Sequence, residues 1–405
     1  MTADSHTDIA IIGAGPAGLA AAAELRRLGA GRVIVIEREG LPGGIPRHCA
    51  HSPFGMREFH RIMTGRAYAA RLADAATQAG ADIWTGCSAV ALGSGPDLLL
   101  SRPEGTMRLH ARAVLLATGT RESSRIQRMI GGQKPGGVIP TGALQAMVHL
   151  NHQIPFRRPV ILGTELVSFS ALLTCRQAGI RPVAMIEPGP RITARHPLGL
   201  LARVLGVPVL TGTRLDAIHG RGRVSAVTLQ THGAKTLLDC DGVLLTGAFR
   251  SEAALLGTAT DPRSTGPVID SFGRIAGRAG CFAAGNLLHP VETAGACWSG
   301  GRRAAQAIHA FLQGALPDPA LAAPLAIESD AIRYALPHLV HAPAPGGAGQ
   351  LLMRLARPAR GLLELHQNGQ IIAQRRLNSR PERRITLPLP AGLGPQPLTL
   401  RLRGA

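Results

Sequence analysis

Residues Asp8 to Glu37 read DIAIIGAGPAGLAAAAELRRLGAGRVIVIE. A β-branched run leads into a Gly-rich turn, an Ala/Leu helix ending at Gly29, and a second β-branched run that closes on an acid. This order predicts a βαβ unit that binds a dinucleotide. Gly13 permits the tight turn, Gly15 lets the backbone approach a pyrophosphate, and Gly18 lets the helix pack closely on the strand. Pro16 and Ala17 open the helix, whose N-terminal amides and dipole favour a phosphate. Glu37 stands where it accepts hydrogen bonds from the adenosine ribose, and Arg38 follows it. The motif alone does not separate FAD from NAD.

The unit is repeated. Pro159 to Glu187 read PVILGTELVSFSALLTCRQAGIRPVAMIE, and the 24 positions from Gly13 to Glu37 recur from Gly163 to Glu187. An internal duplication of the fold is expected. In the second copy the middle glycine is Glu165 and the third is Ser168. A serine is small enough for the helix contact. A glutamate puts bulk and negative charge where a pyrophosphate must touch backbone. NAD(H) binding in this copy is therefore doubtful, and Glu187, if anything binds, favours NADH over NADPH.

A chain of 405 residues with 45% hydrophobic and 17% charged side chains folds as two or three domains with large cores. Its 44 Lys plus Arg against 25 Asp plus Glu give +19, of which only Lys134 and Lys235 are lysines. Aromatics are 3% of the chain, too few for the stacking platforms of single-strand nucleic-acid binders, so no nucleic-acid partner is expected. Ten Arg and two acids lie between Leu351 and Ala405, placing +8 of the +19 there. The six cysteines lie too far apart in sequence for any CxxC, zinc or iron-sulfur spacing, so no metal site is expected. Ile9–Ala23 is too short and too Gly-rich to span a bilayer and lacks a basic lead-in, which predicts no signal peptide, no membrane span and a cytoplasmic location.

LPGG at Leu41–Gly44, VLLATG at Val114–Gly119 and CFAAGN at Cys281–Asn286 resemble markers of the pyridine nucleotide-disulfide oxidoreductase superfamily. The resemblance implies an α/β fold of two Rossmann-like domains with FAD on the first βαβ unit. It places Gly43, Gly44, Ala117, Thr118, Gly119, Gly285 and Asn286 along the cofactor, with Thr293 and Ala294 at a helix N-terminus facing the flavin pyrimidine ring. A positive helix end there stabilises a reduced, anionic flavin. Disulfide reductases of this superfamily carry two cysteines after the GG pair, whereas GGIPRHCAHSPFG (Gly43–Gly55) has Cys49 alone, which argues against a redox disulfide. What remains near the flavin is Arg47, His48, Cys49 and His51, with His289 and Glu292 as further candidates. An imidazole there takes the proton released when a C–H hydride leaves, and an arginine clamps a carboxylate or phosphate.

Further segments, among them ATGTRESSR from Ala117, KPGGVIPTGALQ from Lys134 and AAGNLLHPVETA from Ala283, resemble a narrower group. These are FAD subunits of multicomponent amine, opine and imino-acid dehydrogenases, of the hydrogen cyanide synthase B and opine oxidase A type, and flavoproteins encoded beside glycerol-3-phosphate dehydrogenases. The resemblance implies a small-molecule substrate and a protein partner, either a second flavoprotein or an iron-sulfur protein. Alternatives are a non-catalytic electron-transfer or assembly subunit and an NADH-dependent reductase. The expected organisation is an FAD domain over 1–120 and 250–314, a second nucleotide-like domain over 121–249, a linker over 315–330 and a small antiparallel β domain over 331–405. Asn368-Gly369 in the last segment is a type I′ hairpin signal.

Overall fold

A computed structural model describes residues 3–257, 260–263, 266–290 and 292–404. Its first sheet has seven strands. In spatial order six of them are Asp82–Trp84, Val33–Ile36, Ala3–Ile12, Gly105–Leu116, Asp97–Arg102 and Ser88–Leu92, with Cys281–Ala283 pairing to Gly105–Leu116. Ala3–Ile12 runs parallel to both its neighbours, and each face of its last four residues, Ile9, Ala10, Ile11 and Ile12, is buried. Ile9 and Ile11 point into one core with Val33 and Val35, while Ala10 and Ile12 point into another with Ile34 and Ile36. A strand covered on both sides reads as a continuous apolar run, which is what the sequence shows. Helix α1 (Pro16–Arg27) covers the first face, and α2 (Gly65–Gln78) continues that layer. Thr64 caps α2, its Oγ1 accepting from the Ala67 N–H at 3.3 Å.

The chain leaves this sheet through Thr120–Glu122 and returns through Phe249–Ser251, which pair as a two-stranded antiparallel ribbon. Between them lies a second parallel sheet in the order Val209–Thr211, Ala184–Glu187, Pro159–Leu162, Gly242–Leu245, Val138–Pro140. It carries α3 (Thr141–His149), α4 (Leu166–Gln177) and the short α5 (Gly199–Val204). The duplicated βαβ unit is thus present twice, as two Rossmann-like sheets. After Cys281–Ala283 the chain forms α6 (Ala294–Leu312), which packs against α1. The two helices approach closely because Gly301 has no side chain: a Cβ there would collide with the Ala17 carbonyl.

The C-terminal part forms two sheets, one of five strands and one of three, around Leu351, Met353, Leu363, Leu365 and Leu400. The Asn368-Gly369 turn joins Ala359–Gln367 to Gln370–Ser379, and both turn residues have positive φ, 51° and 77°. Two expectations need correction. The stretch 315–330 is not all linker, because Ala323–Ile327 is a strand. That strand also runs parallel to Leu398–Arg403, so the sheet is not purely antiparallel. The alternating apolar residues Ala323, Leu325 and Ile327 give it an inward face, which the surrounding Pro/Ala composition obscures.

The tail also completes the first domain. Tyr334 and Leu336, each 3% exposed, lie in the core under the second face of the first sheet, with Ile12, Ile36 and Leu116. Truncating Leu336 to alanine should cost about 3 kcal/mol, the usual range for a buried leucine. Chemical unfolding followed by circular dichroism measures this directly. A loss below about 1 kcal/mol would mean that the tail is a separable module.

Candidate functional site

Four segments distant in sequence meet at the carboxyl ends of the first sheet. Gly13 has φ +104°, and a Cβ on it would lie 2.6 Å from the Ala117 carbonyl oxygen. Gly44, at φ +58°, would place a Cβ 2.9 Å from the Gly15 Cα. A Cβ on Gly285 would sit 2.7 Å from the Ala17 Cβ. Backbone bonds fix the same convergence: the Gly43 N–H donates to the Ala14 carbonyl at 2.8 Å and the Ala117 N–H to Ile12 at 2.9 Å. Side chains are thereby excluded between the walls. By contrast, a Cβ on Gly15 or Gly119 meets nothing within 4 Å, so these two glycines border open space.

Pro16 occupies the first turn of α1, and no side chain caps the helix. Its free amides face the space above Gly15, the arrangement that accepts a pyrophosphate. Gly18 is required by the close strand contact, since a Cβ there would strike the Gly13 carbonyl. The buried Glu37 carboxylate accepts from the Ala14 N–H at 3.0 Å and the Glu39 N–H at 2.9 Å. Two amide contacts leave lone pairs on both oxygens for a ribose diol. Arg38 is exposed. Thr118 turns its hydroxyl away, donating to the Glu252 carbonyl at 2.7 Å and tying the 117–119 segment to the returning crossover. An open Gly15, an uncapped α1 and an acid at the end of Val33–Ile36 fit the dinucleotide part of FAD.

The late loop differs from expectation. Both ends of the Asn286 amide are engaged within the loop: Oδ1 accepts from the Glu292 N–H at 2.9 Å, and Nδ2 donates to the Glu292 carbonyl at 3.2 Å. Within this loop Val291 lies outside the described residues. Thr293 caps α6, accepting from the Ala296 N–H at 3.3 Å, and Ala294 begins it. Glu292 itself is held by two arginines of the tail, Arg354 at 2.7 Å and Arg384 at 2.5 Å. Burial pushes the Glu292 carboxyl up, but Arg384 and Arg354 outweigh it and hold the group below the ordinary carboxylate value. His289 is neutral, since burial drives it down to about 4. No side-chain signal in sequence joins Glu292 to partners 62 and 92 positions away.

The four residues placed by resemblance in front of the flavin divide into two pairs. They lie on a 3₁₀ turn, Ile45–His48, and the loop behind it, supported by α2 where a Cβ on Gly65 would be 2.6 Å from the Cys49 carbonyl. Arg47 binds Glu39, and His48 Nε2 lies 3.4 Å from the same carboxylate oxygen. The anion that Arg47 was expected to clamp is thus supplied within the chain. His48 is buried and its Nδ1 has no partner. Cys49 and His51 turn instead towards the second unit. The Cys49 thiol, pushed up to about 11 by burial, stays protonated at neutral pH and lies 3.8 Å from the Gln145 Oε1 of α3. His51 Nε2 is 2.6 Å from the Ser170 Oγ of α4, and burial lowers its pKa. Gln145 also donates to Ser170 at 2.8 Å, closing a polar link between the two Rossmann-like units. Glu39, Gln145 and Ser170 carry no motif, and sequence reading missed them.

The second Gly-rich turn is closed from within. The Glu165 carboxylate accepts from the Ser168 hydroxyl at 3.1 Å and lies between Gly163 and Gly247, where a Cβ on either glycine would collide with it. Burial raises its pKa. Glu187 is consumed locally, accepting from Thr164, from Thr193 at 3.1 Å and from the Gly189 N–H at 2.8 Å.

Residues 7–314 match the family model of the pyridine nucleotide-disulphide oxidoreductases. The chain belongs to that family. Its members bind FAD and are oxidoreductases. The structure is similar to that of T. acidophilum thioredoxin reductase, with a TM-score of 0.62 at 21% identity, over 76% of this chain and 99% of that one. It is also similar to L-proline dehydrogenase from P. horikoshii, with a TM-score of 0.59 at 20% identity, over 79% of this chain and 58% of the other. Sarcosine oxidase subunit alpha of Rhizobium meliloti (strain 1021) is 26% identical over 253 residues, 60% of this chain. That stretch is 24% of the relative, so the chain matches about a quarter of it. All six cysteines are free and buried. Among the described residues no cluster of His, Cys, Asp and Glu could hold a metal, and no helix is long and apolar enough to cross a membrane.

Proposed function

We propose that this family member is the FAD subunit of a multicomponent dehydrogenase acting on an amino acid or similar small amine, with electrons leaving to a protein partner. The observation that carries this reading is the contrast between the two Gly-rich turns: the first borders open space at Gly15, and the second is filled by Glu165. Glu165 at the second turn argues against NAD(P)H as the reductant and supports electrons from an organic substrate or a partner. Cys49 lacks a second cysteine beside it and is held as a thiol, which argues against disulfide chemistry. The names of the relatives, a sarcosine oxidase subunit and an L-proline dehydrogenase, support amine substrates and a multi-subunit setting.

FAD, when bound, supplies two-electron redox chemistry. The chain's own contribution is a buried imidazole, His48, near Glu39 and Arg47; its unpartnered Nδ1 lies beneath the surface, and on this reading it takes the proton of a substrate amine once the turn 45–48 gives access to it. An amine must lose that proton before its α-C–H bond gives up a hydride. Replacing His48 with asparagine should slow substrate-dependent flavin bleaching about a hundredfold or more while FAD stays bound. Anaerobic stopped-flow with sarcosine, L-proline and an opine, with and without co-purified proteins, tests this. Bleaching by any of them at an undiminished rate in the variant rules out His48 as the base. Bleaching that needs a partner protein in every case favours the electron-transfer reading.

A further inference from the structure

A cavity lies away from the flavin site, between the second Rossmann-like unit and the tail. It measures about 940 Å³. Arg191, Arg195 and Arg203 enter it from the second unit, and Arg380 and Arg383 from the tail. The one acid in its wall is Glu382, so five arginines against one glutamate give +4, with His196 beside them. Glu382 is already paired, accepting from Arg191 Nη2 at 3.2 and 3.3 Å. The side chains of Arg195, Arg203, Arg380 and Arg383 have no hydrogen-bond or ion-pair partner among the described residues. Ile192, Leu200, Val207 and Val209 add apolar lining to the wall.

The four unpaired arginines are exposed, so solvent screens their mutual repulsion, but they line one concave wall from two parts of the chain and their fields add there. Such an arrangement is relieved by a ligand with several negative groups. Arginine suits that task, because its planar fork binds phosphate or carboxylate bidentately. The volume lies within the range of small-molecule sites. Arg380 and Arg383 also fall outside residues 7–314, so the feature is not part of the family match.

We infer that this cleft binds a multiply charged small anion, a phosphate ester or a polycarboxylate, and that the anion bridges the second Rossmann-like unit to the tail. The turn 380–384 that supplies Arg380 and Arg383 also sends Arg384 to Glu292 on the other side. The cleft and the late loop of the FAD site therefore share one support.

The test uses the full-length, FAD-loaded protein with inorganic pyrophosphate, ATP and citrate as probes. Chloride at matched ionic strength is the control. At about a hundred times Kd, a bound anion should raise the unfolding midpoint by about 3 °C. Calorimetric titration should give one site per chain. The double variant Arg203→Gln and Arg383→Gln takes one cation from each side and should weaken binding at least tenfold, with its flavin spectrum unchanged. Binding by pyrophosphate and ATP alone assigns a phosphate ester, and binding by citrate alone a polycarboxylate. If none of the probes binds, or if the double variant binds them equally well, the inference is overturned. Binding of an acidic peptide where all three probes fail also overturns it and makes the cleft a protein-docking surface.

Discussion

Glu292→Ala should unfold at markedly lower denaturant and lose FAD more readily than the parent. The Glu292 side chain is 7% exposed and is the shared carboxylate of Arg354 and Arg384. Removing it leaves two guanidinium groups facing each other in a partly buried site, and breaking such a buried pair costs about 3–5 kcal/mol. The effect reaches the cofactor because the Glu292 backbone is bound at both its N–H and its carbonyl by Asn286, the residue following Gly285. The tail thus holds the late loop through a chain of named contacts, from Arg354 and Arg384 to Glu292 to Asn286. The charge itself is tested by pH. Because Arg384 and Arg354 lower the Glu292 pKa in the fold, its contribution is complete above the ordinary value of 4.5 and is lost as pH falls through the folded value. Parent and Glu292→Gln stabilities should therefore converge in acid. Equilibrium unfolding at pH 7 and pH 4, with FAD retention followed by fluorescence, gives both readouts. A parent–variant gap that is the same at both pH values would mean that Glu292 acts through packing and not through its charge.

The contrast between this loop and the first turn explains how much the sequence disclosed. The Gly13-Gly15-Gly18 turn was legible because its spacing between strand and helix is a local pattern, although only Gly18 answers a neighbour in the turn, the Gly13 carbonyl, while Gly13 answers the distant Ala117 and Gly15 borders open space. The duplicated unit was legible for the same reason, its spacing from Gly163 to Glu187 being a local property. Glu165 was marked by being the wrong size and charge at a glycine position. Asn286, by contrast, looked like a cofactor ligand because its position matched one. Its amide also binds the Glu292 backbone groups, and nothing in the six-residue spacing announces that contact. Arg47 gave a similar ambiguity: an arginine in front of a cofactor suggests an external anion, but Glu39 fills that role. Long-range pairs such as Arg354–Glu292 and His51–Ser170 depend on how separate units dock, and docking leaves no periodic trace along the chain. The strand Ala323–Ile327 was hidden for a related reason, since one of its two partners, Leu398–Arg403, lies near the other end of the tail.

Replacing Glu165 with glycine should give the protein a response to NADH that the parent lacks. In the parent the carboxylate occupies the turn between Gly163 and Gly247, at the N-terminus of α4, with the charge of Arg128 acting on it. It therefore stands where a nucleotide phosphate would stand, opposite the same helix end and the same arginine. Two like charges about 4 Å apart repel by about 4 kcal/mol at an effective dielectric of 20, roughly a thousandfold in affinity. Glycine removes that repulsion together with the bulk, and leaves the α4 amides and Arg128 facing open space. Arg128 keeps its position through the Gly247 carbonyl, to which it donates at 2.7 Å. The pKa direction supplies an independent check. Burial raises the Glu165 pKa, so the ionised form is disfavoured in the fold and the residue detracts from stability as pH rises through its folded value. Glu165→Gln should accordingly be more stable than the parent at pH 8, and the difference should shrink in acid. Anaerobic titration with NADH separates the cases: the parent flavin stays oxidised, and the glycine variant is bleached. Rapid bleaching of the parent by NADH would show that Glu165 does not close the turn, and the electrons would then have a nicotinamide source. A glycine variant that neither binds NADH nor is reduced by it would locate the block elsewhere, at Glu187, whose oxygens are already engaged by Thr164, Thr193 and Gly189.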